Sequence, residues 1–229
     1  MSNGRRSLIA VTLYFLASLL AANALAATAY STEALDSALY STLNAATPDA
    51  QREAYATALH LTRVLEGFDS PNQLPLLREL IKLVEDSEDF LYMRLEVVRG
   101  VYGRVSAETV AAVDLLAKWK IENYTEFTDL IEAEELYRIE GLTGTTKLTA
   151  LLGRLNAQVT ILMFLEAQTL DFFGNPLNAY TLNSRKVKAL NKHYFMLRSS
   201  MKEAKETIEK TNSDYNEYNR LIRLLNGGQ

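Results

Sequence analysis

The chain has 229 residues, a formal net charge of −4 and no cysteine, and about half of its residues are apolar. This length and apolar content exclude a disordered chain and allow one large domain or two small ones. The lack of cysteine excludes disulfides and thiolate metal sites, and only ten glycines and four prolines are available to break helices. We therefore expect long helices joined by short connections.

The first 29 residues have the order of a secretory signal peptide. Arg5 and Arg6 precede an uncharged apolar run at residues 8–22, and the small residues at 24–29 offer two cleavage sites. The competing interpretation is an uncleaved anchor, because residues 8–30 are just long enough to span a bilayer. A twin-arginine export signal is a looser third match. Each interpretation predicts an extracytoplasmic chain: secreted, periplasmic or anchored at the outer face of the cytoplasmic membrane.

Residues 30–67 are predicted to form a helical hairpin. Ser31 or Thr32 can cap its first helix, and Thr47 followed by Pro48 opens the second, which stops near Gly67. Residues 69–75 contain two prolines and are the most loop-like segment of the chain. We therefore predict a boundary there, between the hairpin at 30–67 and a bundle of long helices at 74–225.

Apolar residues at three- and four-residue spacing predict long helices in the second part. The first covers residues 76–102, either unbroken or restarting after the acidic residues 85–89. The next runs from a cap at Ser106 to Gly141, which has the position of a C-terminal glycine cap. Residues 148–173 are the most apolar, but Arg154 and Glu166 enclose only eleven uncharged residues, too few for a membrane span. We expect this segment to be a central buried helix.

Residues 183–225 carry the strictest pattern, with apolar or aromatic residues at the a and d positions of a heptad. We predict one long helix whose first half packs within the bundle. The seam weakens toward its end, where threonine and tyrosine replace aliphatic residues, so we expect this end to bind another chain. The predicted partner-binding residues are Thr211, Tyr215, Tyr218, Ile222 and Leu225.

These elements predict an all-α fold class. The predicted long helices have roughly 27 to 42 residues and would overrun a compact sphere. The predicted architecture is an elongated up-and-down bundle of four long helices with an additional N-terminal helical hairpin. A signal peptide or membrane anchor helix precedes it.

Charge is distributed unevenly along the chain. Residues 184–229 hold ten basic and five acidic residues, whereas the part before them is acidic. The basic residues are concentrated at 185–202 and alternate with aromatic ones, as in helices that bind anionic lipid; the alternative is the solvated back of a bundle helix. The membrane-surface candidates are Arg185, Lys188, Lys192, Phe195 and Lys202. The export signal and the acidic body argue against nucleic acid as a partner.

The sequence offers few residues for catalysis or metal binding. The two histidines, His60 and His193, lack the Glu-x-x-His spacing of di-iron bundles, and cysteine is absent. The acidic groups at 85–89 and 132–135 lack the curved loop of a calcium site, so we interpret them as surface acids. We expect no enzyme activity, no metal and no cofactor.

The predicted function is therefore non-enzymatic. We expect an exported or membrane-anchored helical bundle that acts through protein–protein interaction in the cell envelope or outside the cell, with a protein partner or by self-association. One alternative is a carrier of a small ligand or cofactor in the bundle interior, with Asn156, Gln158 and Gln168 as polar contacts. The other is binding to a membrane surface through residues 185–202.

Overall fold

The structure is a computed structural model that describes residues 30–84, 87–168, 184–211 and 215–225. These residues form nine α-helices and contain no strand, which confirms the prediction of an all-α protein. The predicted signal peptide or anchor at residues 1–29 lies outside the described residues. Contacts divide the chain into two compact units, Met1–Ser87 and Glu88–Gln229.

The first unit contains three helices, α1 (Thr32–Asn44), α2 (Pro48–Glu66) and α3 (Gln73–Leu83). Their starts follow the predicted capping chemistry, since Ser31 Oγ accepts a hydrogen bond from the Ala34 N–H and Thr47 Oγ1 one from the Ala50 N–H. Gly67 ends α2 with a φ of 99°, a value that glycine adopts without strain.

The loop between α2 and α3 is closed by side chains. The Glu66 carboxylate accepts hydrogen bonds from Ser70 Oγ at 2.5 Å and Asn72 Nδ2 at 2.8 Å. The fully buried Gln73 donates from Nε2 to the Gly67 carbonyl at 2.9 Å. Because these bonds join α3 to α2, the loop at residues 69–75 lies inside the first unit. The predicted division at that loop stays a prediction.

The second unit contains six helices. They are α4 (Glu88–Tyr102), α5 (Ala107–Asn123), α6 (Phe127–Leu136), α7 (Gly144–Ala167), α8 (Ser184–Thr211) and α9 (Asn216–Leu225). Ion pairs join opposite ends of α4 and α5, where Lys120 meets Glu88, and of α7 and α8, where Lys147 meets Glu203. These two helix pairs are therefore antiparallel.

The most apolar helix, α7, lies at the centre of the second unit and contacts α5, α6, α8 and α9. Leu151, Leu155, Val159 and Leu162 of α7 form one apolar cluster with α8 and α9. On another side, Ile161 and Leu165 pack on Leu130 of α6. The prediction of a central buried helix is confirmed for residues 144–167, and the predicted continuation to 173 lies outside the described residues.

In the described part of the chain, α7 is also the one helix long and apolar enough to cross a membrane. Its most apolar window has a mean hydropathy of 1.5, and 56% of that window is buried inside the protein. A helix enclosed by four others passes such a test because of its core role.

The prediction of one unbroken helix from Ser106 to Gly141 is wrong, because the helix is interrupted at residues 124–126. Tyr124 is extended, with a ψ of 135°, and Asp129 accepts hydrogen bonds from the N–H groups of Thr125 and Glu126, both at 2.9 Å. The Asp129 carboxylate thus binds two backbone N–H groups that a continuous helix would use in its own hydrogen bonds. A new helix, α6, therefore begins here. Gly141, with a φ of 84°, belongs to the connection before α7 and is not the C-terminal cap of this helix.

The predicted single helix at 183–225 is also divided. Its first part, α8, ends at Thr211, and a separate helix, α9, begins at Asn216. The buried Leu221 of α9 joins the same apolar cluster as Leu197 and Ala204 of α8. The a and d residues of both segments therefore pack against α7. One straight helix over residues 183–225 could not do so along its whole length, because it would extend beyond the shorter α7.

Candidate functional site

One face of α8 is basic and exposed, and we call it the basic face. The buried residues of α8, among them His193, Leu197 and Ala204, turn toward the core. By the 3.6-residue period, Phe195 projects from the opposite side, and 77% of its surface is exposed. The basic face consists of Lys188, Lys192, Phe195, Arg198 and Lys202, all of them exposed.

The cations of the basic face lack close carboxylates. Among the described residues, Lys188, Lys192 and Arg198 form no ion pair, and Lys202 approaches Glu206 only to 4.0 Å. Arg185, also predicted for this surface, belongs to the first turn of α8. The structure therefore gathers Lys188, Lys192, Phe195 and Lys202 on one side of a single helix, as the sequence predicts.

The predicted partner-binding residues lie at the end of α8 and along α9, and we call them the C-terminal surface: Thr211, Tyr215, Tyr218, Ile222 and Leu225. All five are half-buried, and the rings of Tyr215 and Tyr218 meet edge to face at 6.3 Å. Tyr218 and Leu225 also pack against the core cluster. The neighbouring Leu224, which the sequence interpretation did not include, is 47% exposed.

A buried carboxylate joins α6, α7 and the connection between them in the interior of the second unit. Glu134 of α6 is 3% exposed, and its Oε1 accepts hydrogen bonds from Arg154 Nε at 2.6 Å and Gln158 Nε2 at 2.9 Å. Its Oε2 accepts from Arg138 Nη2 at 2.8 Å. The interpretation of Glu134 as a surface acid is wrong, because it shares the stripe of Leu130, which is fully buried. That stripe, with an arginine four residues later, was the available sequence signal.

Burial and hydrogen bonding act oppositely on Glu134. Burial alone would raise the pKa of its carboxyl, but the hydrogen bonds from Arg154 and Arg138 outweigh it and lower the pKa below the usual 4.5. The carboxylate is thus charged at neutral pH. Its two arginines and one amide satisfy both oxygens, so this group is a structural ion cluster more than a free acid or base.

His193 of α8 lies near this cluster and is itself buried. Its ring meets Phe127 edge to face at 6.1 Å, and among the described residues its Nδ1 has no hydrogen-bond partner. Burial, followed by repulsion from Lys192, lowers the pKa of His193 below 6.5, although Glu134 acts in the opposite direction. The imidazole is therefore neutral at pH 7.

Two open cavities flank α7. One, of about 410 Å³, is lined by Arg138, Lys147, Arg154 and Glu203 together with apolar residues. The other, of about 420 Å³, is lined by Asn156 and by polar residues of α5 and α9. The predicted carrier contacts do not share one space, because Gln158 is buried against Glu134 and Gln168 follows the last residue of α7.

A second ion cluster ties α4, α5 and α6 together around Lys120, whose side chain is 5% exposed. Its Nζ lies 2.5 Å from Glu88 Oε1 and 2.9 Å from Glu132 Oε2. Burial would lower the pKa of Lys120, but these hydrogen bonds outweigh it and raise the pKa above its usual range. The ammonium therefore stays charged, and its role is to join helices.

No set of three or more histidine, aspartate or glutamate side chains in the described ranges could hold a metal ion. Comparison of the chain with protein-family models, with curated proteins and with solved structures gave no match. The class that the fold defines is thus an all-helical protein, and the basic face and the C-terminal surface are two of its surface features.

Proposed function

We propose that this chain is a non-enzymatic helical-bundle protein that acts by binding protein, either another chain or a second copy of itself. Its place of action is the cell envelope or the outside of the cell, after export or while anchored at the outer face of the cytoplasmic membrane. The sequence argument for this location is the arginine pair and apolar run within residues 1–29.

The C-terminal surface carries the proposal. Tyrosines that are half-buried, with leucine and isoleucine beside them, are enriched where proteins meet. Tyr218 and Leu225 anchor the surface to the core, whereas Leu224 remains exposed beside them. A partner would thus meet apolar side chains that are already held in place, which lowers the entropy cost of binding.

Photo-crosslinking in the source cells tests this proposal. A photoreactive residue at position 224 of the full chain should give a discrete adduct, either with one other protein or with a second copy. The same residue at Glu96, which is exposed on α4, serves as the control and should give none. Leu224→Asp should weaken binding at least tenfold, while Asn219→Asp on another side of α9 should leave it unchanged.

A chain that stays monomeric in sedimentation and gives no adduct at position 224 would contradict the proposal. Equal adducts at positions 224 and 96 would contradict it as well, because they would indicate random encounters. Far-UV circular dichroism of both aspartate variants separates loss of binding from loss of folding.

A second candidate function is that of a small-ligand carrier. The observation in its favour is the cavity of about 410 Å³, where Arg138, Arg154 and Lys147 alternate with apolar residues. Native mass spectrometry of the protein purified from its source tests it. A mass above that of the polypeptide supports the carrier, and a bare polypeptide mass contradicts it.

We also propose the finer architecture that the sequence predicts, namely an up-and-down order of helices in the second unit and an export signal or anchor before the first. The antiparallel pairs α4–α5 and α7–α8 support the up-and-down order. The N-terminus of the mature protein tests the rest: a start near Ala27 indicates release, and a start at Met1 or Ser2 indicates an anchor. A start within α1 would contradict both.

A further inference from the structure

We propose that the basic face of α8 docks on the anionic phospholipid surface of the membrane, with Phe195 entering the region between head groups and acyl chains. This inference rests on the location in the proposed function, which brings an exported or anchored chain to the outer face of the membrane. It assigns a second role to the second unit, separate from protein binding at the C-terminal surface.

The first argument is the position of the charges along α8. The amino-terminal end of a helix carries a partial positive charge, so cations there make the helix less stable. The first turn of α8 nevertheless contains Arg185 and Lys186 and no acidic residue, and Lys188 and Lys192 follow. A sequence that departs from a local stability rule in this way is expected to do so for function.

The second argument is that these cations are available. Among the described residues, no carboxylate pairs with Lys188, Lys192 or Arg198, and the acids of α8 begin only at Glu203. The basic face is therefore a patch of uncompensated positive charge on a chain whose net charge is negative. Charge complementarity selects an anionic partner.

The third argument is the aromatic residue at the centre of the patch. Phe195 is 77% exposed and projects away from the core, although burying it would be favourable. Helices that lie in a membrane interface combine an inserted aromatic residue with lysines whose flexible stems reach back to the phosphates. The cavities of about 410 and 420 Å³ are lined by other residues.

A single fluorescent label can locate this face, because the chain contains no cysteine and an introduced one is unique. Ser199→Cys places the label on the basic face, and Thr149→Cys places it at an exposed position of α7 as the matched control. Both full-length proteins are reconstituted in vesicles of phosphatidylcholine alone or with about 30% phosphatidylglycerol. Quenching by lipids that carry a quencher near the head group reports contact with the membrane.

We expect the label at position 199 to be quenched at least fivefold more strongly in the anionic vesicles than in the neutral ones. The label at position 149 should respond to neither. One molar salt should abolish the difference, because it screens charges within a few ångströms. Each lysine near an anionic surface contributes about fivefold to partitioning. Lys188→Gln, Lys192→Gln and Lys202→Gln together should therefore remove the contact.

Matched substitutions separate the basic face from net charge. Lys82→Gln, Arg104→Gln and Lys118→Gln together change the charge equally at exposed positions outside α8 and should preserve the quenching. Phe195→Ser should lower it roughly tenfold at unchanged charge. Circular dichroism of each variant in solution verifies its fold.

Equal quenching of label 199 in both kinds of vesicle would overturn the inference. Loss of quenching in both lysine triple variants would also overturn it, because net charge alone would then explain the contact. Neither result bears on the proposed function, which is tested separately by the adduct at position 224.

Discussion

Tyr137, directly after the end of α6, packs closely against Gly153 of α7. The Tyr137 ring is 4% exposed and lies over Gly153, and its hydroxyl donates a hydrogen bond to Asp114 Oδ1 at 2.8 Å. A Cβ atom at position 153 would come within 2.2 Å of the ring. Because the hydroxyl is hydrogen-bonded to Asp114 of α5, moving the ring away from Gly153 would break this bond.

Gly153→Ala should therefore destabilise the protein despite the better helix propensity of alanine. Overpacking of a fixed core contact costs about 1–3 kcal/mol. Urea unfolding followed by circular dichroism measures the change. The control is Gly100→Ala at an exposed position of α4, which should stabilise by about 0.5–1 kcal/mol. A Gly153→Ala protein as stable as the parent would show that the Tyr137 ring moves aside without cost and would contradict this prediction.

His193 gives stability a pH dependence with a defined sign. Its pKa is lowered in the folded protein, so below about pH 6.5 the unfolded chain takes up the proton first. The contribution of neutral His193 to the free energy of unfolding is thus fully present above pH 6.5. It falls as the pH decreases toward the pKa of His193 in the folded protein, by at most about 1.4 kcal/mol per pH unit for one proton.

Urea unfolding between pH 8 and pH 5 measures this slope. His193→Phe should flatten it, whatever its effect on stability at pH 8. His60→Gln, which changes the exposed histidine of α2, is the control and should retain the slope of the parent. Parallel pH profiles for the His193→Phe protein and the parent would assign the slope to other groups.

At the scale of whole helices, α9 depends on one residue for its position. Leu221 is 2% exposed and belongs to the apolar cluster centred on α7, whereas Leu224 is 47% exposed. The two residues lie three positions apart, about 60° around the helix, so that Leu221 faces the cluster and Leu224 lies at the edge of the buried side. The attachment of α9 to α7 should therefore be far more sensitive at position 221.

Leu221→Ala should destabilise the protein by about 2–5 kcal/mol, the usual cost of a cavity at a buried leucine. Leu224→Ala should change stability by less than about 0.5 kcal/mol. Urea unfolding measures both, and limited proteolysis should release α9 only from the Leu221→Ala protein. Similar stabilities of the two variants would mean that α9 does not contribute to the core.

Helix starts and the central helix were predictable from the sequence, because the responsible contacts are local. Ser31, Thr47 and Ser106 each accept a hydrogen bond from a backbone N–H three residues later. The break at Tyr124 was not predictable from periodicity, since the apolar spacing continues across it and only the competing side chain of Asp129 redirects the backbone.

Surface residues were predictable from the sequence to a greater extent than interior residues, again because their contacts are more local. The basic face followed from spacing along one helix, which sequence order determines. The cluster around Glu134 did not, because Arg154 and Gln158 reach it from a different helix. Among three neighbouring acids, the stripe of Leu130 marks Glu134 and not its exposed neighbours Glu132 and Glu135, but only tertiary packing supplies its partners.

At the scale of the whole molecule, the division into two units is testable. Residues 88–229 contain all the helices that surround α7. A fragment of these residues should fold alone and unfold cooperatively, with a stability in the usual range of about 5–15 kcal/mol. Circular dichroism during urea unfolding measures both properties.

A second fragment, residues 107–229, is the matched control. It lacks α4 and therefore Glu88, which leaves the buried ammonium of Lys120 with one fewer carboxylate. We expect this fragment to be less stable by more than about 3–5 kcal/mol, because the buried apolar side chains of α4 are lost together with Glu88. A non-cooperative transition of the longer fragment would show that the second unit needs residues 1–87.

The central place of α7 has a consequence for the time course of folding. Its apolar sides are covered by α5 and α6, which precede it, but also by Leu197 and Leu221, which are synthesised much later. Until the ribosome has made almost the whole chain, the longest apolar helix of the described residues lacks part of its cover. The nascent or translocating chain therefore passes through a stage in which apolar surface is exposed. Residues 144–167 would then be the natural target of a binding chaperone.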